Sequence, residues 1–404
     1  MKKTIFLFAM LFLTLLCGCS SSEGDEYPVS EGLKFTSNGD GTCFVAGKGT
    51  CTDARVVIPS VSPEGDTVVA IGQNAFAFNL DIVSITLPET ITHIGSNAFN
   101  SCYRLYEVIN HSQLPLDTDL IGRGNYGCIG KYAKDIHSGK GKIGSINGIL
   151  FYKMDGEYYV IAYDGEEAKL DFPESYKGNS YNIFDGTFER RQDITSISFP
   201  DNAKIINIGK YAFRDCFNIA EIKFGMNTSL ESIGEESFGH CSSFEHLDLS
   251  VANKLTTIEK KAFSNCYALV ELKLPPNATN LGEGIFFNCH YLEKIIFAED
   301  SKITAIPPST FDSCERLKKV KIPEGITEIG SEAFRQCGPI ESITLPTSIE
   351  RIGESAFYHV LGTKYKIYYA GSEKNWKSIE IETDHGNDYF FHHLEIHYNY
   401  VEEE

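Results

Sequence analysis

Positive charge is scarce in this chain: its 404 residues carry 36 Lys and Arg against 55 Asp and Glu, a formal charge of −19. Without a basic face a protein cannot displace counterions from phosphate, which excludes general nucleic-acid binding and disfavours docking on anionic lipid by charge. Tryptophan is nearly missing, with Trp376 alone. A spanning helix needs about 20 apolar residues, and the apolar run at the start, Thr4 to Leu16, has 13. The catalytic signatures Gly-x-Ser-x-Gly and His-Glu-x-x-His do not occur, so nothing points to an enzyme. Disorder is excluded too, because 42% of the residues are hydrophobic and only 23% charged.

What is present begins with Lys2 and Lys3, the apolar run, and then Leu16-Cys17-Gly18-Cys19. A basic region followed by an apolar stretch this short is a secretory signal. The tetrapeptide resembles a bacterial lipobox, which implies cleavage after residue 18 and acylation of Cys19. Ser20 to Glu26 are polar and acidic, and 19–31 is expected to be a flexible tether. An acidic stretch so placed resembles the surface-export signal of Bacteroidetes lipoproteins.

At about 150 residues per domain the length suggests two or three domains, but a repeat overrides that prior. Phe76, Phe99, Phe188, Phe213, Phe238, Phe263, Phe286, Phe311, Phe334 and Phe357 recur, apart from one interruption, every 23 or 25 residues. Each belongs to a module of the form Ile-Gly-x-x-Ala-Phe-x-x-Cys-x-x-Leu-x-x-Ile-x-Leu-Pro, as in Ile329 to Pro346. In Leu269 to Pro275 the alternation predicts a short strand with Leu272 and Leu274 inward. The spacing of Ala262, Phe263 and Cys266 fits one face of a helical turn. The expected fold is therefore an α/β solenoid of leucine-rich repeats, with a short parallel strand plus a short helix in each 23–25-residue repeat. A module of this kind cannot bury its apolar face alone, so neighbours stack and the Phe column forms a spine.

The module resembles the BspA-like leucine-rich repeat family of bacterial surface proteins, over most of residues 32–404. Asp40-Gly41-Thr42, Gly49 to Asp53 and Val57-Ile58-Pro59 resemble that family's start; Ile367 to Gly371, Trp376 and Ile396 to Asn399 resemble its terminal cap. The implied organisation is a solenoid over 32–404, divided into an N-terminal cap (32–68), repeats (69–110), an irregular insertion (111–187), further repeats (188–360) and a β-rich C-terminal cap (361–404). The resemblance implies a non-enzymatic lipoprotein of the outer membrane, facing outward, that adheres to host matrix or bacterial surface proteins as a monomer without cofactors. Glycan capture for nutrient uptake is the alternative, to be favoured if Tyr126, Tyr132, Tyr158 and Tyr159 of the insertion are exposed. In that insertion, aromatic and aliphatic runs on either side of Asp155-Gly156 signal a hairpin.

Other motifs weigh less. Gly122 to Gly127 spells a dinucleotide fingerprint, but no buried strand precedes it. Gly139-Lys140-Gly141-Lys142 lacks Walker spacing. Cys102, Cys216, Cys241, Cys266, Cys289, Cys314 and Cys337 each fall three residues after a module Phe and read as small core fillers. Cys43 and Cys51 either bridge a hairpin or stay free, and Cys128 is unassigned. His393, Glu395 and His397 share a strand face and have zinc-ligand chemistry, though a solvated edge explains them equally, and no metal site is assigned. Outward strand positions form two rows: Glu221, His246, Glu271, Lys294, Lys319, Ser342, and Lys223, Asp248, Lys273, Ile296, Lys321, Thr344. Alternating charge accounts for most of these. Lys294, Lys318, Lys319 and Lys321 stand out as a basic cluster on an acidic protein and are the candidate binding surface, for an anionic ligand.

Overall fold

The computed structural model describes residues 27–118, 126–360, 365–382, 387 and 394–401; the signal sequence and Cys19 lie outside them. The chain winds into a β-solenoid of about 13 turns. A coil contributes a strand to a front wall, such as Glu271–Lys273, a shorter strand to a back wall, such as Thr257–Ile258, and a corner that carries the module Phe. Strands of successive coils pair parallel and in register, so Ile208, Ile233, Ile258 and Leu281 align across the back wall. Like side chains stack on like because the period is kept.

The expected short helix in each repeat is not there. Only two helices lie wholly within the described residues, Ile129–Tyr132 and Glu373–Trp376, of four residues each. The corner is instead a run of turns in which alternate amides point along the stack. Ala262 N–H bonds locally to Glu259 O at 3.3 Å and Ser264 N–H to Lys261 O at 3.0 Å, while Phe263 N–H reaches Ile285 O of the next coil at 2.9 Å and Asn265 N–H reaches Phe287 O at 2.7 Å. Left-handed residues four apart, Lys261 (φ 55°) and Asn265 (φ 59°), make this alternation and interrupt any helix. The same pair recurs as Asn97 and Ser101, Glu236 and His240, and Glu332 and Gln336. A helix satisfies its amides within one coil; this corner uses half of them to join coils.

The Phe rings stack at 4.9 to 5.7 Å between centroids from Phe188 through Phe357, with interplanar angles of at most 19°. Beside them the seven module thiols are buried and free, each donating to the carbonyl of the module Phe one coil earlier, as Cys241 Sγ does to Phe213 O at 3.1 Å and Cys337 Sγ to Phe311 O at 3.2 Å. Burial pushes these thiols up, Cys102 to about 11 and Cys216 to about 12. Cys43 and Cys51 are also buried and free. The glycine of Ile-Gly has its own reason. A Cβ on Gly234 would lie 2.8 Å from Gly209 C, and one on Gly282 2.3 Å from Lys260 N, so the coils approach too closely there for any side chain.

The apolar core falls into two main clusters, one over Leu33 to Ala133 and one over Ile149 to Ile379. Between them stands the hairpin Ile149–Met154 and Glu157–Tyr163, turned by Asp155 (φ 50°) and Gly156 (φ 90°), both left-handed as a type I′ turn requires. Its outer face packs with Ala54, Val83 and Tyr106 in a third cluster that joins the two stacks. At the far end Trp376 packs against the last coil, its indole 5.4 Å from the Tyr369 ring.

Candidate functional site

In-register pairing lays the outward side chains of the front wall in straight rows about 4.8 Å apart. One row runs His246, Glu271, Lys294 and the next Asp248, Lys273, Ile296; further on they run Lys319, Ser342, Lys366, Glu395 and Lys321, Thr344, Tyr368, His397. Inward residues between them, Leu247, Leu272, Ile295, Val320 and Ile343, are buried.

The register pairs much of this charge across coils. Lys273 Nζ lies 2.7 Å from Asp248, Lys294 Nζ 3.1 Å from Glu271 and Lys318 Nζ 3.3 Å from Glu293. Burial works to raise the Asp248 carboxyl, but hydrogen bonds from Lys273 and Ser250 outweigh it and hold the group below its ordinary value. Exposed pairs of this kind contribute at most about 1 kcal/mol each. The four lysines singled out therefore divide. Lys294 and Lys318 are partnered by carboxylates of the preceding coil and Lys321 is engaged as well, whereas Lys319 stands exposed on its strand beside Ser342.

Sequence reading missed Lys366, two coils from Lys319 in the same row, and the outward rings that follow Lys321 and Thr344 in the next. Tyr368 stacks on His397 with centroids 5.0 Å apart and meets Tyr400 at 4.5 Å. The only signal was the terminal cap's alternation, whose register with the repeats is not legible in one dimension. The tyrosines of the insertion are used otherwise. Tyr132 is buried, Tyr126 packs on the first core, Tyr158 lies edge-on to Tyr176 at 4.9 Å, and Tyr159 packs edge-on to Phe184 at 5.6 Å. Their exposure, the condition set for a glycan platform on the insertion, is not met.

Glu395 and His397 sit 3.1 Å apart on the last strand, and His393 lies outside the described residues. Among the described residues no group of three or more His, Cys, Asp or Glu could hold a metal ion. Of the fingerprint Gly122 to Gly127, residues 122–125 lie outside the described residues and Tyr126 pairs with Ile94 in an isolated bridge. No helix among the described residues is long and apolar enough to cross a membrane.

The family model for the BspA type leucine rich repeat region matches this chain in six copies, over residues 59–117, 168–254 and 232–363. No curated protein matches it in sequence. Among solved structures it is similar to a leucine rich cell surface protein from Faecalibacterium prausnitzii, at 22% identity over 89% of this chain and 99% of that one, TM-score 0.35. It is also similar to a leucine-rich repeat protein from Bacteroides ovatus, at 19% identity over 93% and 100%, TM-score 0.45. A third is the pneumococcal vaccine antigen PcpA, at 18% identity over 86% and 80%, TM-score 0.35.

Proposed function

The chain belongs to the BspA-type leucine-rich repeat family, and from that premise we propose that it is a non-catalytic outer-membrane lipoprotein, anchored through Cys19, that holds a protein partner outside the cell. The observation that carries the reading is the flat run of registered rows on the front wall, which offers a partner many evenly spaced side chains on a rigid support. Within it we place the contact on Lys319 and Lys366, which share one row. These cations gather on one end of an acidic molecule, and they would steer and orient an acidic partner. Lys294 and Lys318, already neutralised by Glu271 and Glu293, contribute less.

The test is a binding screen of the mature chain against matrix proteins and bacterial surface proteins, followed by Lys319→Glu and Lys366→Glu combined. Loss of at least tenfold in affinity, with an unchanged melting temperature, supports the reading; unchanged binding removes this surface from it. Palmitate labelling that disappears in Cys19→Ser, together with protease shaving of intact cells, tests the anchor and its outward orientation.

Glycan capture is kept as a second reading on one observation, the outward cluster Tyr368, His397 and Tyr400. Such rings stack on sugar faces. A glycan array that lights up and goes dark with Tyr368→Ala would favour it.

A further inference from the structure

At its N-terminal end the front wall carries different chemistry. The row that holds Lys223, Asp248, Lys273 and Lys321 further along reads Val57, Thr86, Ile109 over the first three coils. Val57 and Ile109 point outward, where most of the wall is polar, yet they are only 9% and 4% exposed.

What shields them is a strap assembled from two distant parts of the chain. Ser30 pairs with Val57 through its backbone and its hydroxyl, both at 3.0 Å. That contact turns the segment before Ser30 across the wall, where Tyr27 Oη donates to Ile143 O at 2.5 Å and the Arg55 guanidinium lies 4.4 Å over the Tyr27 ring. From the other side comes the loop Ser138 to Lys142. Its Gly139 N–H donates to His137 Nδ1 at 3.1 Å and its Lys142 N–H to the buried Glu107 carboxylate at 2.6 Å. A Cβ on Gly141 would stand 2.6 Å from Tyr27 Oη, so a side chain there would push the Tyr27 ring aside.

Between strap and wall lies a cleft of about 630 Å³, inside the range of roughly 300–1,000 Å³ typical of small-molecule sites. Its apolar lining comes from Val57, Ile109, Pro59, Pro88 and Val29. Its ionisable side chains are Tyr27, His111 and Lys140, with no Asp or Glu among the lining residues, on a chain that carries 55 acidic residues. Both His111 and Lys140 are exposed, at the mouth.

We propose that this cleft binds a small amphipathic carboxylate, its hydrocarbon against Val57 and Ile109 and its carboxylate at Lys140 and His111. The ligand's hydrocarbon supplies affinity by leaving water against this floor, and the absence of carboxylates in the lining together with the Lys140 ammonium and the His111 ring at the mouth selects an acid over a neutral analogue. The site is independent of the lysines at the other end of the wall, so either proposal can fail alone.

The probe is sodium decanoate, titrated calorimetrically into the mature chain, with decanamide as the neutral arm and a short hydrophobic peptide with a free C-terminus as a competing occupant. Expected are saturable one-site binding of decanoate, at least tenfold weaker binding of decanamide, and a several-fold loss in Lys140→Glu. Thr86→Trp fills the floor and should abolish binding. Because that change may disturb the fold, Val29→Trp at the exposed edge of the cleft is the second plug, and a native melting curve qualifies both. No saturable decanoate binding, equal binding of decanamide, binding unchanged in a folded plug variant, or tight binding of the peptide alone would each overturn the proposal.

Discussion

A thiol buried against a carbonyl is a weak donor, but seven such contacts, one in the first stack and six in the second, link coil to coil along the side of the solenoid that the Phe rings already fill. Cys266→Ala removes the contact of its Sγ with Phe238 O at 3.3 Å and leaves a small void, at a cost of about 1–2 kcal/mol in urea denaturation. The thiols should also make the fold sensitive to alkali. An unfolded thiol titrates at about 8.5, whereas in the fold burial raises Cys102 to about 11, Cys216 to about 12 and Cys241 well above its ordinary value. Above about pH 8.5 the unfolded chain sheds protons that the folded chain keeps, so stability is flat below that pH and falls as pH rises beyond it. The midpoint of urea unfolding, followed from pH 7 to 10, should drop less in a multiple Cys→Ala variant than in the parent. In the native state at pH 8 a thiol reagent should label Cys128 first, since the other described cysteines are buried.

At the scale of the element, corner and strand were legible to different degrees. The strand at Leu272 and Leu274 was readable because alternation with one buried face has a single interpretation. The corner was not, because Ala262, Phe263 and Cys266 point into the core whether the backbone is a helix or a run of turns. What separates the two is the left-handed residue, and it is Lys261 in one coil, Glu236 in another and Tyr211 in a third, so no residue type announces it. Backbone ladders between coils overrule propensity here. Substituting a β-branched residue there should cost more than glycine. Asn265→Val is expected to lower stability by about 1–3 kcal/mol more than Asn265→Gly, which loses only the side-chain hydrogen bonds with His240, Tyr267 and Asn288, as measured by thermal melting. Gly234→Ala, which sets a methyl against Gly209 of the preceding coil, should cost about 1–3 kcal/mol by overpacking.

Over the whole molecule, two apolar cores are held together by a small joint. Tyr106 meets the rings of Tyr152 at 5.9 Å and Phe184 at 5.8 Å, and the Arg104 guanidinium donates to Ile161 O and to Thr187 O, the latter at 2.9 Å. Stacked coils couple mainly to their neighbours, so cooperativity across the molecule depends on this joint. Tyr106→Ala is expected to split the calorimetric transition in two, the smaller from the stack over Leu33 to Ala133. A single transition, merely shifted down, would show that other contacts couple the stacks.

By itself the sequence determined the solenoid, its Phe spine, its registered outward rows and its family, because a period of 23 or 25 residues makes every such feature a one-dimensional pattern. Tertiary structure alone decided the rest. It replaced helix by corner, since only a neighbouring coil can accept the amides that point along the stack. It paired Lys294 and Lys318 with carboxylates while placing Lys366 in the row of Lys319, since cross-coil partners depend on register. And it brought Tyr27, Val57, Ile109 and Lys140 around one cleft, a meeting between segments with no period in common.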